Sequence, residues 1–206
     1  PKLVLLVEFA EETLEEAEKK AETAKATVRA RFDVKTRVTK SDEETEQYWV
    51  VRRESFNLLR HHVHGKRTAP FIDDFVVRPE FLPTFLPKLY DLLNKYKLLY
   101  TVAGHVGDGN FHIIPLMDLS LPHMAELIAK ISKEVYDLVR HYEGSITGEH
   151  NDGLVRAPFL KQAFGEEVYK LFSETQHIFD PDNIFNPGKK VDVSLQDALK
   201  NLDTKM

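Results

Sequence analysis

Two histidines flank a glycine-rich turn in residues 104–112, which read GHVGDGNFH. Glycine and aspartate in such a run give the backbone the freedom for a tight reversal. If the chain reverses near Asp108 and Gly109, the imidazoles of His105 and His112 lie close together on facing strands. Neutral imidazole is the commonest metal ligand in proteins, so the pair is a candidate metal site. The alternative is an ordinary turn with a histidine on each side.

A second polar segment, residues 146–156, reads ITGEHNDGLVR. Glu149 is a candidate third ligand, because two histidines and one carboxylate leave coordination positions open for a substrate. His150 would then point elsewhere and could serve as a base. The alternative is a polar loop that caps the helix after it.

The apolar pattern predicts the elements that must position these segments. Residues 98–103 and 111–116 are strand-like runs joined by the glycine-rich turn, and such a hairpin requires antiparallel pairing. The order of strands and helices is not a regular alternation, so we predict an α+β fold, an antiparallel sheet flanked by helices. Further strands are predicted at 3–9, 34–39 and 71–77, and helices at 11–31, 42–61, 79–96, 121–142 and 166–179.

Composition limits the class of protein. The chain has 206 residues, with 28 basic and 33 acidic side chains and a formal net charge of −5. This mild acidic excess gives no general attraction to phosphate backbones, so no nucleic-acid partner is expected. No run approaches the roughly 20 apolar residues of a membrane-spanning helix. There is no cysteine, which excludes disulfides and thiolate metal sites.

Three segments together resemble a known family. GHVGDGNFH, TGEHNDGLVR and DPDNIFNPGK, the last at residues 180–189, look like the signatures of the C-terminal domain of FAD-linked oxidases and dehydrogenases. That group includes D-lactate dehydrogenases, the glycolate oxidase flavoprotein subunit and D-2-hydroxyglutarate dehydrogenases. The resemblance implies one substrate, or cap, domain of ferredoxin-like architecture over residues 1–190. A polar tail over 191–206 follows it.

The resemblance also implies roles for individual residues. His105, His112 and Glu149 match the metal-binding positions of the family, and zinc or manganese would suit such nitrogen and oxygen ligands. His150 matches the histidine that takes the proton of the substrate hydroxyl. Arg52 matches an arginine that binds the substrate carboxylate.

The same resemblance implies a flavoprotein partner. FAD would be bound mainly by a domain that is not in this chain, with Asn186 near the contact with that domain. The start at Pro1 inside an apolar run favours a piece of a longer protein. Many members have glycine where this chain has Asn151. A subgroup that resembles larger oxidoreductases with iron–sulfur segments carries asparagine there, as this chain does.

The expected function is therefore oxidation of a 2-hydroxy acid by a flavin-dependent enzyme. The expected location is the cytoplasm, with any attachment to a membrane made through partner proteins. The isolated chain should be inactive. An apolar surface left bare without the flavin domain could associate with another copy of the chain. The alternative is a non-catalytic folding or oligomerisation module with a vestigial site.

Overall fold

The computed structural model describes residues 4–202, apart from the side chains of residues 55–62. The chain divides into two compact units, Pro1–Leu59 and Arg60–Met206. Helices and one antiparallel sheet make up the described elements, so the predicted α+β class is confirmed.

The first unit contains helix α1, Leu14–Arg31, and most of helix α2, Asp42–His62. A side-chain cap begins each helix: Thr13 Oγ1 accepts the N–H of Glu16, and Ser41 Oγ accepts the N–H of Glu44. The strands predicted at 3–9 and 34–39 are wrong, since residues 4–9 and 34–39 carry no strand. A strand needs a neighbouring strand to pair with, and the structure has no strand within residues 4–59.

The second unit is built on four antiparallel strands: β1 Arg67–Thr68, β2 Ile72–Val76, β3 Leu99–His105 and β4 Asn110–Met117. Strand β4 pairs with all three others. Strands β3 and β4 form the predicted hairpin. At its turn Gly109 has φ 70°, and a Cβ there would lie 1.8 Å from the carbonyl oxygen of Val77. Only glycine fits this turn.

Two amphipathic helices cover the sheet, α3 Leu82–Lys95 and α4 Met124–His141. Their apolar faces join the sheet in one core that buries, among others, Phe75, Phe85, Leu89, Ile113, Ile131 and Val135. The buried Tyr136 hydroxyl donates to the carbonyl oxygen of Phe71 at 2.6 Å, so this polar group is hydrogen-bonded within the core.

Strand β2 carries a β-bulge at Asp74. Its neighbours keep their pairing with β4, as Asp73 faces His112 and Phe75 faces Phe111, so Asp74 is the extra residue. Its φ of 65° is uncommon for an aspartate and marks a local distortion of the strand. A bulge changes the direction in which side chains point, and here it lies beside the histidines of the hairpin.

Three helices follow: α5 Gly153–Arg156, α6 Leu160–Phe179 and α7 Leu195–Lys200. Helix α6 begins before the predicted residue 166 and is kinked at Gly165, where φ is 82°. Within the predicted polar tail, Val191 is buried and helix α7 packs Leu195 against the core. Among the described residues, no helix combines the length and apolar character needed to cross a bilayer.

Candidate active site

The hairpin brings its two histidines to one face of the sheet. His112 in β4 pairs with Ala103 in β3, and His105 lies two residues beyond Ala103. Side chains alternate along a strand, so residues 103 and 105 point to the same side as residue 112. The two imidazole centroids are 5.8 Å apart.

The loop after helix α4 adds Glu149 and His150 to this pair. Three imidazole Nε2 atoms lie within 3.6 Å of the same carboxylate oxygen, Glu149 Oε1. The distances are 2.8 Å from His112, 3.5 Å from His105 and 3.6 Å from His150. We call these four residues the histidine–glutamate cluster. All four are site residues predicted from the sequence, and the tertiary structure brings them together.

Asp73, which the sequence interpretation did not assign to the site, lies behind two of the imidazoles. Its Oδ1 is 3.0 Å from His112 Nδ1, and its Oδ2 is 3.6 Å from His150 Nδ1. The His112 and His150 rings stack with centroids 4.9 Å apart. The hydrogen bond to Asp73 raises the pKa of His112, and the negative charge of Glu149 adds to this effect against the opposing effect of burial.

Asp74, also missed, holds the loop of the cluster. Its fully buried carboxylate accepts the backbone N–H groups of Gly148, Glu149 and His150 at 2.9–3.0 Å, and the side-chain amide of Asn110 at 3.0 Å. Burial alone would raise the pKa of Asp74, but these N–H donors outweigh it and lower the pKa to about 2. Three successive backbone N–H groups thus bind a carboxylate that is charged at neutral pH.

Arg156 contacts the backbone on both sides of this network of hydrogen bonds. This buried guanidinium donates through Nη1 to the backbone carbonyl of Asp73 at 2.9 Å and through Nε to the carbonyl of Asn151 at 3.1 Å. Its Nη2 lies 3.7 Å from Asp74 Oδ2. Asn151 itself has φ 62°. Glycine and asparagine are the residues that tolerate this conformation best, so either fits here.

Four side chains in this region offer ligand atoms of the kinds that bind metal ions. Asp74, His112, Glu149 and His150 can each offer one ligand atom within 4.8 Å of the others. The Asp74 oxygens, however, already accept several N–H groups, whereas His105 Nε2 faces Glu149 Oε1. His105 therefore lies as close to Glu149 as His150 does, and the metal-binding roles of His105, His112 and Glu149 stay predictions.

Arg52 and Asn186 are the two further site residues predicted from the sequence. Arg52 belongs to the Pro1–Leu59 unit, where its guanidinium carbon is 5.9 Å from the ring centroid of Trp49. Asn186 lies in the exposed loop after α6, with φ 49°. In that loop the buried Asp180 accepts the N–H groups of Ile184 and Phe185, both at 2.8 Å. The roles of Arg52 and Asn186 stay predictions.

The fold and the cluster define an α+β domain that presents histidines and a carboxylate at one end of its sheet. The family model for FAD linked oxidases, C-terminal domain, matches residues 2–190. The chain therefore belongs to that family.

Curated relatives are longer than this chain. It is 36% identical over 141 residues to a D-2-hydroxyglutarate dehydrogenase of Pseudomonas putida, covering 68% of this chain and 14% of that protein. The protein of the same name from Escherichia coli is 33% identical, with 70% of this chain and 14% of the relative covered. The glycolate oxidase subunit GlcD of Bacillus subtilis is 29% identical, with 91% and 39% covered. The chain thus spans well under half the length of these relatives.

Proposed function

We propose that this chain is the substrate-binding, metal-assisted domain of a flavin-dependent oxidoreductase that acts on a 2-hydroxy acid. The observation that carries the proposal is the convergence of three imidazole Nε2 atoms on Glu149 Oε1. The names of the relatives support the substrate class, since they specify D-2-hydroxyglutarate and glycolate. FAD would be held mainly by a part of the protein outside these residues.

In this proposal His105, His112 and Glu149 hold a divalent cation, zinc or manganese. Imidazole nitrogen and carboxylate oxygen suit these ions, and three protein ligands leave coordination positions open. When bound, such a cation supplies Lewis acidity that lowers the pKa of a nearby hydroxyl group. Glu149 contributes the only formal negative charge among the three ligands, so it also offsets the charge of the cation.

His150 is the proposed acceptor of the substrate hydroxyl proton. Its side chain is about half exposed, so a substrate can reach it, and Asp73 Oδ2 lies 3.6 Å from its Nδ1. A carboxylate on that side stabilises the imidazolium that forms when Nε2 takes a proton. Removal of hydride from the α-carbon is chemistry that a bound flavin supplies. Arg52 is the proposed partner of the substrate carboxylate, through charge-assisted hydrogen bonds.

Calorimetric titration of metal-stripped protein with zinc and with manganese tests the ligand set. Loss of a residue that only supports a metal ligand typically costs up to roughly 100-fold in metal affinity. Loss of a ligand itself, in His112→Ala or Glu149→Gln, should therefore weaken binding by more than that. His64→Ala is the matched control, because His64 is exposed in a turn before β1. His150→Ala should retain metal binding. Loss of binding in either of these last two variants, with His112→Ala unaffected, would contradict the assignment.

Paired ligands test the substrate class on the zinc-loaded chain. D-2-hydroxyglutarate should bind more tightly than glutarate, and glycolate more tightly than acetate, because each pair differs only in the 2-hydroxyl group. Both preferences should disappear when zinc is removed. If the chain binds no divalent cation and does not distinguish the members of either pair, the alternative of a non-catalytic module with a vestigial site is favoured.

A further inference from the structure

We infer that Asp73 is a positioning residue that holds the Nδ1 sides of His112 and His150 and thereby leaves both Nε2 atoms facing Glu149. The inference rests on the proposed function, since it concerns one proposed metal ligand and the proposed proton acceptor. It adds a residue outside the four-residue cluster and a specific state of the His112 ring.

The geometry that supports it begins with the bulge in β2. Asp73 is paired across the sheet with His112, and its Oδ1 lies 3.0 Å from His112 Nδ1. Its other oxygen lies 3.6 Å from His150 Nδ1. The two rings are stacked within 10° of parallel, so one carboxylate reaches the same edge of both. Their opposite edges carry the Nε2 atoms that approach Glu149 Oε1.

A neutral imidazole has one N–H group, so two carboxylates compete for the proton of His112. Glu149 is slightly nearer, at 2.8 Å against 3.0 Å for Asp73. Hydration decides the competition, because the Asp73 side chain is 14% exposed and that of Glu149 is 47% exposed. A hydrogen bond in the less hydrated position is stronger. Glu149 Oε1 is also approached by two other imidazoles. The proton therefore stays on Nδ1, and Nε2 is available as a ligand.

The backbone of Asp73 is held by a buried guanidinium group. Arg156 Nη1 donates to its backbone carbonyl at 2.9 Å. The adjacent Asp74 cannot replace it, because the carboxylate of Asp74 is occupied by the N–H groups of residues 148–150. Histidine ligands in metal sites commonly donate their second N–H to a carboxylate in this manner, which fixes the tautomer and the ring orientation.

Nitrogen NMR of the imidazole rings tests the inference. Long-range ¹H–¹⁵N spectra of the metal-free protein at about pH 9, well above the ordinary histidine pKa of about 6.5, distinguish the two neutral tautomers. We expect His112 to carry its proton on Nδ1 in the wild type and in Asp73→Asn, which keeps an acceptor oxygen. In Asp73→Ala the Nε2–H form should appear, and the His150 signals should shift.

Zinc calorimetry gives the second readout. Asp73→Ala should lower zinc affinity by about 10–100-fold, and Asp73→Asn by less. Asp91→Asn is the matched control for charge, because Asp91 is exposed on helix α3, and it should leave both readouts unchanged. An unchanged His112 tautomer in Asp73→Ala would overturn the inference. So would equal losses of zinc affinity in Asp73→Ala and Asp91→Asn.

The two readouts separate this inference from the proposed function. A wild-type chain that binds no zinc, but whose His112 tautomer depends on Asp73, would overturn the proposed function alone. A chain that binds zinc with the proposed ligands, but whose tautomer is the same with and without Asp73, would overturn the inference alone. If Asp73→Ala does not fold, Asp73→Asn decides: a smaller but measurable loss of zinc affinity with the Nδ1–H form retained supports the inference, and an unchanged affinity or loss of the Nδ1–H form contradicts it.

Discussion

Replacement of Asp74 by asparagine removes one charge from the centre of the loop network and keeps the size of the side chain. Both oxygens of the wild-type carboxylate accept hydrogen bonds. Oδ1 accepts from Asn110 and Glu149, and Oδ2 from Gly148 and His150. In either orientation of the new amide, its NH₂ group must face at least two N–H donors.

The expected cost is about 3–6 kcal/mol of unfolding free energy. A hydrogen bond to a charged group contributes roughly 1.5–3 kcal/mol, and at least two are lost. The buried Arg156, whose Nη2 lies 3.7 Å from Asp74 Oδ2, also loses its counter-charge. Because the same N–H groups fix residues 148–150, Asp74→Asn should weaken zinc binding as well.

Urea unfolding followed by circular dichroism measures this cost, with Asp118→Asn as the matched control. Asp118 uses only Oδ1, which accepts the N–H and the hydroxyl of Ser120 at 3.0 and 2.6 Å. An asparagine there keeps its carbonyl oxygen in place, so the loss should stay below about 1 kcal/mol. Equal losses for the two variants would refute the reasoning.

The pH dependence of wild-type stability gives an independent check. The folded pKa of Asp74, about 2, lies below its ordinary value of 3.8, so its stabilisation is complete above the ordinary value. That stabilisation is lost as the pH falls from about 4 through 2, and it amounts to roughly 2 kcal/mol. Asp74→Asn should lack this part of the acid loss. An identical acid profile in both proteins would count against the assigned role.

Three further measurements extend these tests. Gly148→Ala places a methyl group 2.5 Å from Asn110 Nδ2 and should cost about 1–3 kcal/mol in urea unfolding, whereas Gly107→Ala, whose methyl meets no described atom within 4 Å, should be nearly neutral. Tyr136→Phe leaves a buried carbonyl without its donor and should cost about 1–2 kcal/mol, measured in the same way. Zinc affinity measured by calorimetry should fall as the pH drops through the raised pKa of His112, because protons compete with the metal; an affinity independent of pH would contradict His112 as a ligand.

The predicted hairpin, with His105 and His112 on one face, depends mainly on local information. A glycine-rich turn between two apolar runs specifies antiparallel pairing, and the alternation of side chains then places both histidines on one face. The motif around Glu149 and His150 follows from residue types that are adjacent in the chain. The sequence thus singled out the four residues that the structure places side by side, whereas their distances come from the structure and their roles stay predictions.

The supporting residues depend on tertiary structure. Asp73 and Asp74 are adjacent aspartates in an otherwise apolar strand, a signal that is visible but does not say what they contact. Only the bulge in β2 and the return of the chain after α4 bring Asp74 to the N–H groups of residues 148–150, more than 70 positions away.

The strands predicted at 3–9 and 34–39 failed for the same physical reason. The backbone groups of a strand are satisfied by a partner that can lie anywhere in the chain, and a short apolar run contains no information about that partner. Helices satisfy their own backbone, so α1 to α4 were predictable from local sequence. What the sequence determined by itself is therefore helices α1 to α4, the hairpin and the residue types that stand beside one another in the cluster. The tertiary structure decided which buried charges hold them, because those contacts join distant parts of the chain.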